Sequence, residues 1–147
     1  MIWTLTGHGS NINSVIFSRD GRFALSSGRL ENSVRQWDIE HGIELRRFEG
    51  HGDVVESVSV SGNARYALSG SQDGTVRVWD LANGAELINY TGHTDQAYGV
   101  DIASNDRLIA SASDDDTIHL WDIEDGDRGD VVILEGHEAD IWRVMFS

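Results

Sequence analysis

The stretch GHGDVVESVSVSGNARYALSGSQDGTVRVWDLANGAELINYTGH, residues 50–93, decides the fold. It opens and closes on Gly-His and holds four short runs rich in β-branched and aromatic residues: VVESVSV (54–60), RYALSG (65–70), TVRVWD (75–80) and AELINYTG (85–92). Between them lie Ser61-Gly62-Asn63, Gln72-Asp73-Gly74 and Ala82-Asn83-Gly84. Asp-Gly and Asn-Gly are hairpin turns, because glycine tolerates the positive φ those turns demand. Successive strand residues point to opposite faces, so Val76 and Val78 share one face while Arg77 and Trp79 share the other. Large apolar groups on both faces predict a sheet covered on both sides.

The same pattern extends in both directions. Gly-His recurs at Gly7-His8, Gly50-His51, Gly92-His93 and Gly136-His137, with steps of 43, 42 and 44 residues between histidines. Trp-Asp recurs at Trp37-Asp38, Trp79-Asp80 and Trp121-Asp122, with steps of 42 and 42. No segment sustains a helical period. Period, Gly-His and Trp-Asp together resemble the WD-repeat family of β-propellers, whose repeats of about 40–45 residues build four-stranded blades. The resemblance implies an all-β chain of about three and a half blades in an incomplete ring. An orphan outer strand is expected at 2–6, blades at 11–49, 53–91 and 96–135, and an orphan inner strand of a fourth blade at 141–147. Three blades and two spare strands do not close a propeller of 4–8 blades. Ring completion by further blades of a longer chain, by another subunit or by self-association is therefore expected.

Composition narrows the function classes. Among 147 residues the net charge is −14, with no cysteine and no proline. Disulfides and thiolate metal sites are excluded. The chain shows neither a signal-peptide pattern nor the roughly 18 apolar residues of a membrane span, and a cytoplasmic location is expected. The negative field disfavours phosphate backbones and anionic lipid, so the expected partner is a protein or peptide, with a basic one favoured, and neither nucleic acid nor membrane. The acids also serve solubility and discourage edge-to-edge strand pairing.

The family pattern implies a hydrogen-bonded His–Ser–Asp–Trp tetrad in each blade. Carried over, these are His51, Ser69, Asp73 and Trp79, then His93, Ser111, Asp115 and Trp121. A buried indole N–H needs an acceptor, and a linked chain of such bonds, each contributing about 1 kcal/mol, pins strands together. The first blade departs from the pattern. His8 and Trp37 are in place, but Glu31-Asn32 replaces Asp-Gly, one extra residue lies in Ser27-Gly28-Arg29-Leu30, and either Ser26 or Ser27 can fill the serine role. A weaker or rearranged tetrad is expected there. The first hairpin turns read Ser18-Arg19-Asp20-Gly21, Ser61-Gly62-Asn63-Ala64 and Ser104-Asn105-Asp106-Arg107, without the proline usual in the family. A His/Ser/Asp set invites comparison with a hydrolase triad. Its recurrence once per period and the lack of a Gly-x-Ser-x-Gly elbow argue for a structural role and against an enzyme.

By the same resemblance, partners dock at positions three and five residues after the Gly-His histidine and just before the turn acid. These are Asn11, Asn13 and Leu30; Val54, Glu56 and Gln72; Gln96, Tyr98 and Asp114; Asp140 and Trp142. Tyr98 and Trp142 stand out, because aromatic side chains supply contact area at low entropic cost. The plainer reading is that they fill the mouth of the channel. The acid runs Asp114-Asp115-Asp116 and Glu124-Asp125-Gly126-Asp127 lack EF-hand spacing and are read as solvated turns, with no metal or cofactor expected. Arg128-Gly129-Asp130 matches a cell-adhesion tripeptide by coincidence. His41 and His119 read as surface residues. The leading expectation is a protein–protein interaction scaffold, and the alternative is a structural or oligomerisation module.

Overall fold

The computed structural model describes residues 4–126 and 129–147. Met1–Trp3 and Asp127-Arg128 lie outside the described residues, and with them fall part of the expected strand 2–6, Asp127 of the second acid run and the arginine of the Arg-Gly-Asp tripeptide. Three antiparallel four-stranded sheets follow one another along the chain. The first pairs β1 (Ile12–Phe17), β2 (Phe23–Gly28), β3 (Ser33–Asp38) and β4 (Ile43–Glu49) in sequence order. The second comprises β5 (Val55–Val60), β6 (Tyr66–Ser71), β7 (Val76–Asp80) and β8 (Glu86–Tyr90). The third comprises β9 (Ala97–Ile102), β10 (Leu108–Ser113), β11 (Ile118–Asp122) and β12 (Val132–Leu134). Among the described residues there is no helix long and apolar enough to cross a membrane.

Sheet packing explains the two-faced strand read from residues 75–80. Val76 and Val78, with Leu68 and Tyr90, meet Val100, Ile102, Ile109 and Trp121 of the third sheet. On the opposite face, Trp79, Val55, Val58 and Ala67 meet Leu25, Val34 and Phe48 of the first. Each sheet is thus a blade whose innermost strand neighbours the next: β5 lies beside β1, and β9 beside β5. Polar ties reinforce the packing. The Asp106 carboxylate accepts the Gly62 and Asn63 N–H groups, the latter at 3.1 Å, and the Arg46 guanidinium donates to the Ala82 and Asn83 carbonyls.

The outward faces of the two end blades lack this cover. Ile12, Val15 and Phe17 are 51%, 54% and 58% exposed. Val132, Ile133 and Leu134 are exposed at the other end. The expected orphan strands find no ladder either: neither residues 4–6 nor 141–147 form strand pairing. A strand needs a hydrogen-bonded neighbour, and neither segment has one among the described residues. Residues 141–147 instead lie across β9, where a Cβ on Gly99 would stand 2.9 Å from the Arg143 Cα. Glycine is required there by space alone.

The first hairpin turns are built on a residue at positive φ: Gly21 (70°), Ala64 (59°) and Asp106 (58°). In the third blade the closing bond runs from Ala103 N–H to the Leu108 carbonyl, matching Ser18 to Phe23 and Ser61 to Tyr66. That turn is therefore Ala103–Asp106, one residue earlier than the expected Ser104–Arg107. Alanine pays about 1 kcal/mol or more for the left-handed region, which glycine visits freely. Ala64→Gly is expected to raise unfolding stability by about 0.5–1 kcal/mol after the added unfolded-chain entropy, read as an upward shift of the urea midpoint.

Candidate functional site

Two polar systems stand out: a chain of buried bonds inside each blade and a groove along the innermost strands. In the second blade Trp79 N–H donates to Ser69 Oγ at 2.9 Å, and Ser69 lies 2.7 Å from His51 Nε2. His51 Nδ1 lies 2.9 Å from Asp73, which also accepts from Thr75 Oγ and the Gly52 N–H. The donors run one way if Ser69 O–H donates to His51 Nε2 and His51 Nδ1–H donates to Asp73. Burial opposes ionisation of Asp73, but the bonds from His51, Thr75 and Gly52 overcome it and hold the carboxyl far below its ordinary value. A carboxyl depressed on folding contributes stability that is complete above its ordinary value of 3.8 and drains as pH falls below it. The stability gap between the native chain and Asp73→Asn is expected to shrink by about 1 kcal/mol between pH 7 and pH 3, measured by urea unfolding.

The first blade assembles the same chain from different parts. Ser26 fills the serine role, accepting from Trp37 N–H at 2.7 Å and meeting His8 Nε2 at 2.6 Å, while the buried Ser27 hydroxyl has no partner. The extra residue therefore falls after Ser26, whose spacing of 18 from His8 equals that of Ser69 from His51. Glu31 reaches His8 at 3.0 Å with its longer side chain and takes Arg35 as well, at 2.9 Å. Arg35, 4% exposed, also donates to Glu44.

The third blade is incomplete. His93 meets Asp115 at 2.9 Å and Ser111 at 2.8 Å, but the buried Trp121 N–H has no partner among the described residues. The Tyr90 ring stacks on Trp121 at 5.1 Å, where the preceding pair, Phe48 and Trp79, is tilted by 51°. His119 is not a surface residue: it is 3% exposed, and its Nδ1 lies 2.6 Å from the Tyr90 hydroxyl. It holds the place that Arg35 and Arg77 hold in the other blades, two residues before the tryptophan, between packed sheets. Burial and the neighbouring His93 push its imidazole down to about 4. His41 does lie at the surface, paired with Asp38.

The groove, of about 700 Å³, runs across β1, β5, β9 and residues 142–146. Asn13, Glu56, Tyr98 and Trp142 line it. Asn13 donates to the Val55 carbonyl at 3.2 Å and to Glu56 at 3.1 Å, bridging two blades. Gln72 holds the other oxygen of Glu56 at 2.6 Å. Tyr98 donates to Gln96 at 3.1 Å, its ring 6.2 Å from that of Trp142, which is 73% exposed. Burial and the charge of Asp140 push the Asp114 carboxyl up, and burial and Asp114 do the same to the Tyr98 phenol. Gln72, Gln96 and Asp114 thus stand behind the wall, while Asn11, Leu30, Val54 and Asp140 do not line it. The lower wall, with Asp101 holding Ser59 and the Phe146 N–H, was not signalled by the spacing rules. Of the second acid run, Glu124 pairs with Arg107 at 2.9 Å, as does the nearby Asp122.

The family model described as "WD domain, G-beta repeat" matches residues 1–38, 42–80 and 84–122. Each matched repeat is offset from the sheets: 42–80 covers β4 of the first blade and β5 to β7 of the second, so repeats interlock. Autophagy-related protein 16 of Arabidopsis thaliana is 38% identical over 64 residues, 44% of this chain and 12% of its own length. The small ribosomal subunit protein RACK1 of Candida albicans is 35% identical over 78 residues, 49% of this chain and 25% of its own. Subunit I of eukaryotic translation initiation factor 3 from Meyerozyma guilliermondii is 32% identical over 69 residues, 47% of this chain and 20% of its own. The chain thus spans a quarter or less of these relatives. Among solved structures, U3-55K and the RRP9 WD40 repeats each superpose with a TM-score of 0.88 at 23% identity, covering 95% of this chain and 43% of theirs. Gly-His and Trp-Asp periods, interlocked blades and the matched repeats converge: the chain belongs to the WD-repeat family of β-propeller proteins.

Proposed function

We propose that this chain is a protein-interaction scaffold that docks a basic peptide or protein segment in the groove lined by Asn13, Glu56, Tyr98 and Trp142. The observation that carries the reading is the pairing of two aromatic rings, one largely exposed, with fixed acidic and amide groups in a single concave surface. Aromatic anchors contribute most of the energy at such sites, and the net charge of −14 attracts cationic partners while disfavouring nucleic acid and anionic lipid. Relatives named as subunits of a ribosome and of an initiation factor are consistent with a role in assemblies. The His–Ser–acid sets support a binding protein rather than an enzyme, because they recur in every blade between strands and in the first two blades are tied to tryptophan. The test is a display screen with basic peptides at two salt concentrations. Binding that weakens with salt and falls about 100-fold in Tyr98→Ala/Trp142→Ala supports the reading. Binding unchanged in that double variant overturns it.

A second reading is favoured by the exposed apolar faces of the end blades: self-association that completes the ring. Light scattering across a concentration series separates the two. A defined dimer or larger species supports ring completion from copies of this chain, and a stable monomer rejects it.

A further inference from the structure

We propose that the seam between the second and third blades is an acid-operated latch, shut while the stacked imidazoles of His93 and His119 are neutral and parted when they take up protons. The two rings lie 3.9 Å apart and within 20° of parallel, at 7% and 3% exposure. Both belong to the third blade, and Tyr90 of β8 in the second blade covers them. Its hydroxyl lies 2.6 Å from His119 Nδ1, and its ring stacks on Trp121 at 5.1 Å.

The seam makes no provision for charge at this place. In the other two blades the position of His119 carries Arg35 and Arg77, permanent cations that reach Glu44 and Glu86. Here Val76 and Val78 of β7 and Val100 and Ile102 of β9 fill the rest of the seam. On its own sheet His119 pairs with Ser111 of β10 and Ile133 of β12. The titratable groups that face it are Tyr90 from β8, His93 from the loop before β9 and Asp115 from the turn before β11. Asp115 stands within 4.8 Å, but its oxygens are taken by His93, the Thr94 N–H, and the N–H and hydroxyl of Thr117. A proton on His119 therefore sets an imidazolium against a second imidazole in an apolar seam, with no free carboxylate to receive it.

Burial and like charge both oppose that state, and opening relieves both by admitting water. Burial and His93 accordingly hold the His119 imidazole down to about 4, and burial pushes His93 down as well. With its affinity for protons depressed when the seam is shut, His119 binds them more tightly when it is open. The closed seam keeps its full stability above the ordinary imidazole value of 6.5 and loses it as pH falls toward 4. The groove is lined from both sides of the seam, by β5 and by β9, so opening would also divide it. That consequence rests on the groove reading, whereas opening itself is read without any peptide.

The experiment is hydrogen–deuterium exchange of the free chain between pH 7 and pH 5, corrected for the intrinsic pH dependence of amide exchange. His119 alone is expected to raise the open population seen by β11 amides about 20-fold, while amides of β3, the matching strand of the first blade, do not follow. His119→Gln, which cannot titrate, is expected to abolish that rise. The ring of His119 in the native chain, followed by NMR, is expected to titrate well below 6.5, a readout that needs no variant to fold. The proposal is overturned by an open population indifferent to pH, by an equal rise in β3, by a native rise in folded His119→Gln, or by an ordinary titration of His119 near 6.5. Peptide binding and its loss in Tyr98→Ala/Trp142→Ala are measured at pH 7 with the seam shut, so failure of the groove reading stays separate from failure of the latch.

Discussion

Trp79→Ala is expected to cost about 3–5 kcal/mol of unfolding stability, close to the whole margin of a small domain. Trp79 is 2% exposed, packs against Phe48 at 5.7 Å and donates its N–H to Ser69, so truncation opens a cavity and breaks the polar chain together. The contrast with Trp121 isolates the second effect. Phenylalanine leaves a similar void at either site, but at Trp79 it also removes a satisfied bond, whereas at Trp121 it removes an unpaired buried N–H. A satisfied bond contributes about 1 kcal/mol net and an unpaired buried donor costs about 1–3. Trp79→Phe is therefore expected to be more destabilising than Trp121→Phe by about 2–4 kcal/mol, measured by urea unfolding of the pair. Equal losses would sink the claim that the third blade's chain is broken at its tryptophan.

The second large effect lies in the first blade. Arg35→Ala is expected to cost about 2–3 kcal/mol, because the buried guanidinium bridges two carboxylates and its loss leaves Glu31, 15% exposed, without a cation. Arg77→Ala makes the equivalent change where Glu86 is 35% exposed, and water compensates most of it. About 1 kcal/mol is expected there. Paired thermal or denaturant melts check the ratio, and comparable losses would reject burial as the deciding variable.

The contrast between these sites marks how far the sequence was legible. Gly-His and Trp-Asp recur at fixed steps because each occupies the same place in a repeating sheet, so a single chain displays its own alignment. Val76 and Val78 could be assigned to one face for the same reason. His119 could not be read this way. Its position carries Arg, Arg and His, which on any one strand reads as a polar, solvent-facing site, and only sheet stacking buries it. The signal that could have found it is the comparison across blades, where a lost arginine coincides with Phe48 giving way to Tyr90. The turn at Ala103–Asp106 was misplaced by one residue because the serine that anchors Ser18 and Ser61 turns is an alanine there. The ends escaped the reading for a different reason: strand propensity is present in 141–147, but pairing depends on neighbours the segment does not have. In the groove, the spacing rules found the upper wall from Asn13 to Trp142 and not the floor around Asp101, whose role depends on where residues 141–147 settle.

The uneven covering of the three blades also sets how the molecule opens. The second blade is sandwiched on both faces by apolar clusters, while the first and third are covered on one. In an array where each unit leans only on its neighbours, local opening starts at the uncovered ends and meets its largest barrier in the middle. Backbone amides of β6 and β7 should consequently exchange with deuterium last, and those of β1 and β12 first. Covering an end face would slow exchange on that side alone, so the order in which amides exchange would reveal which face a partner occupies before its identity is known.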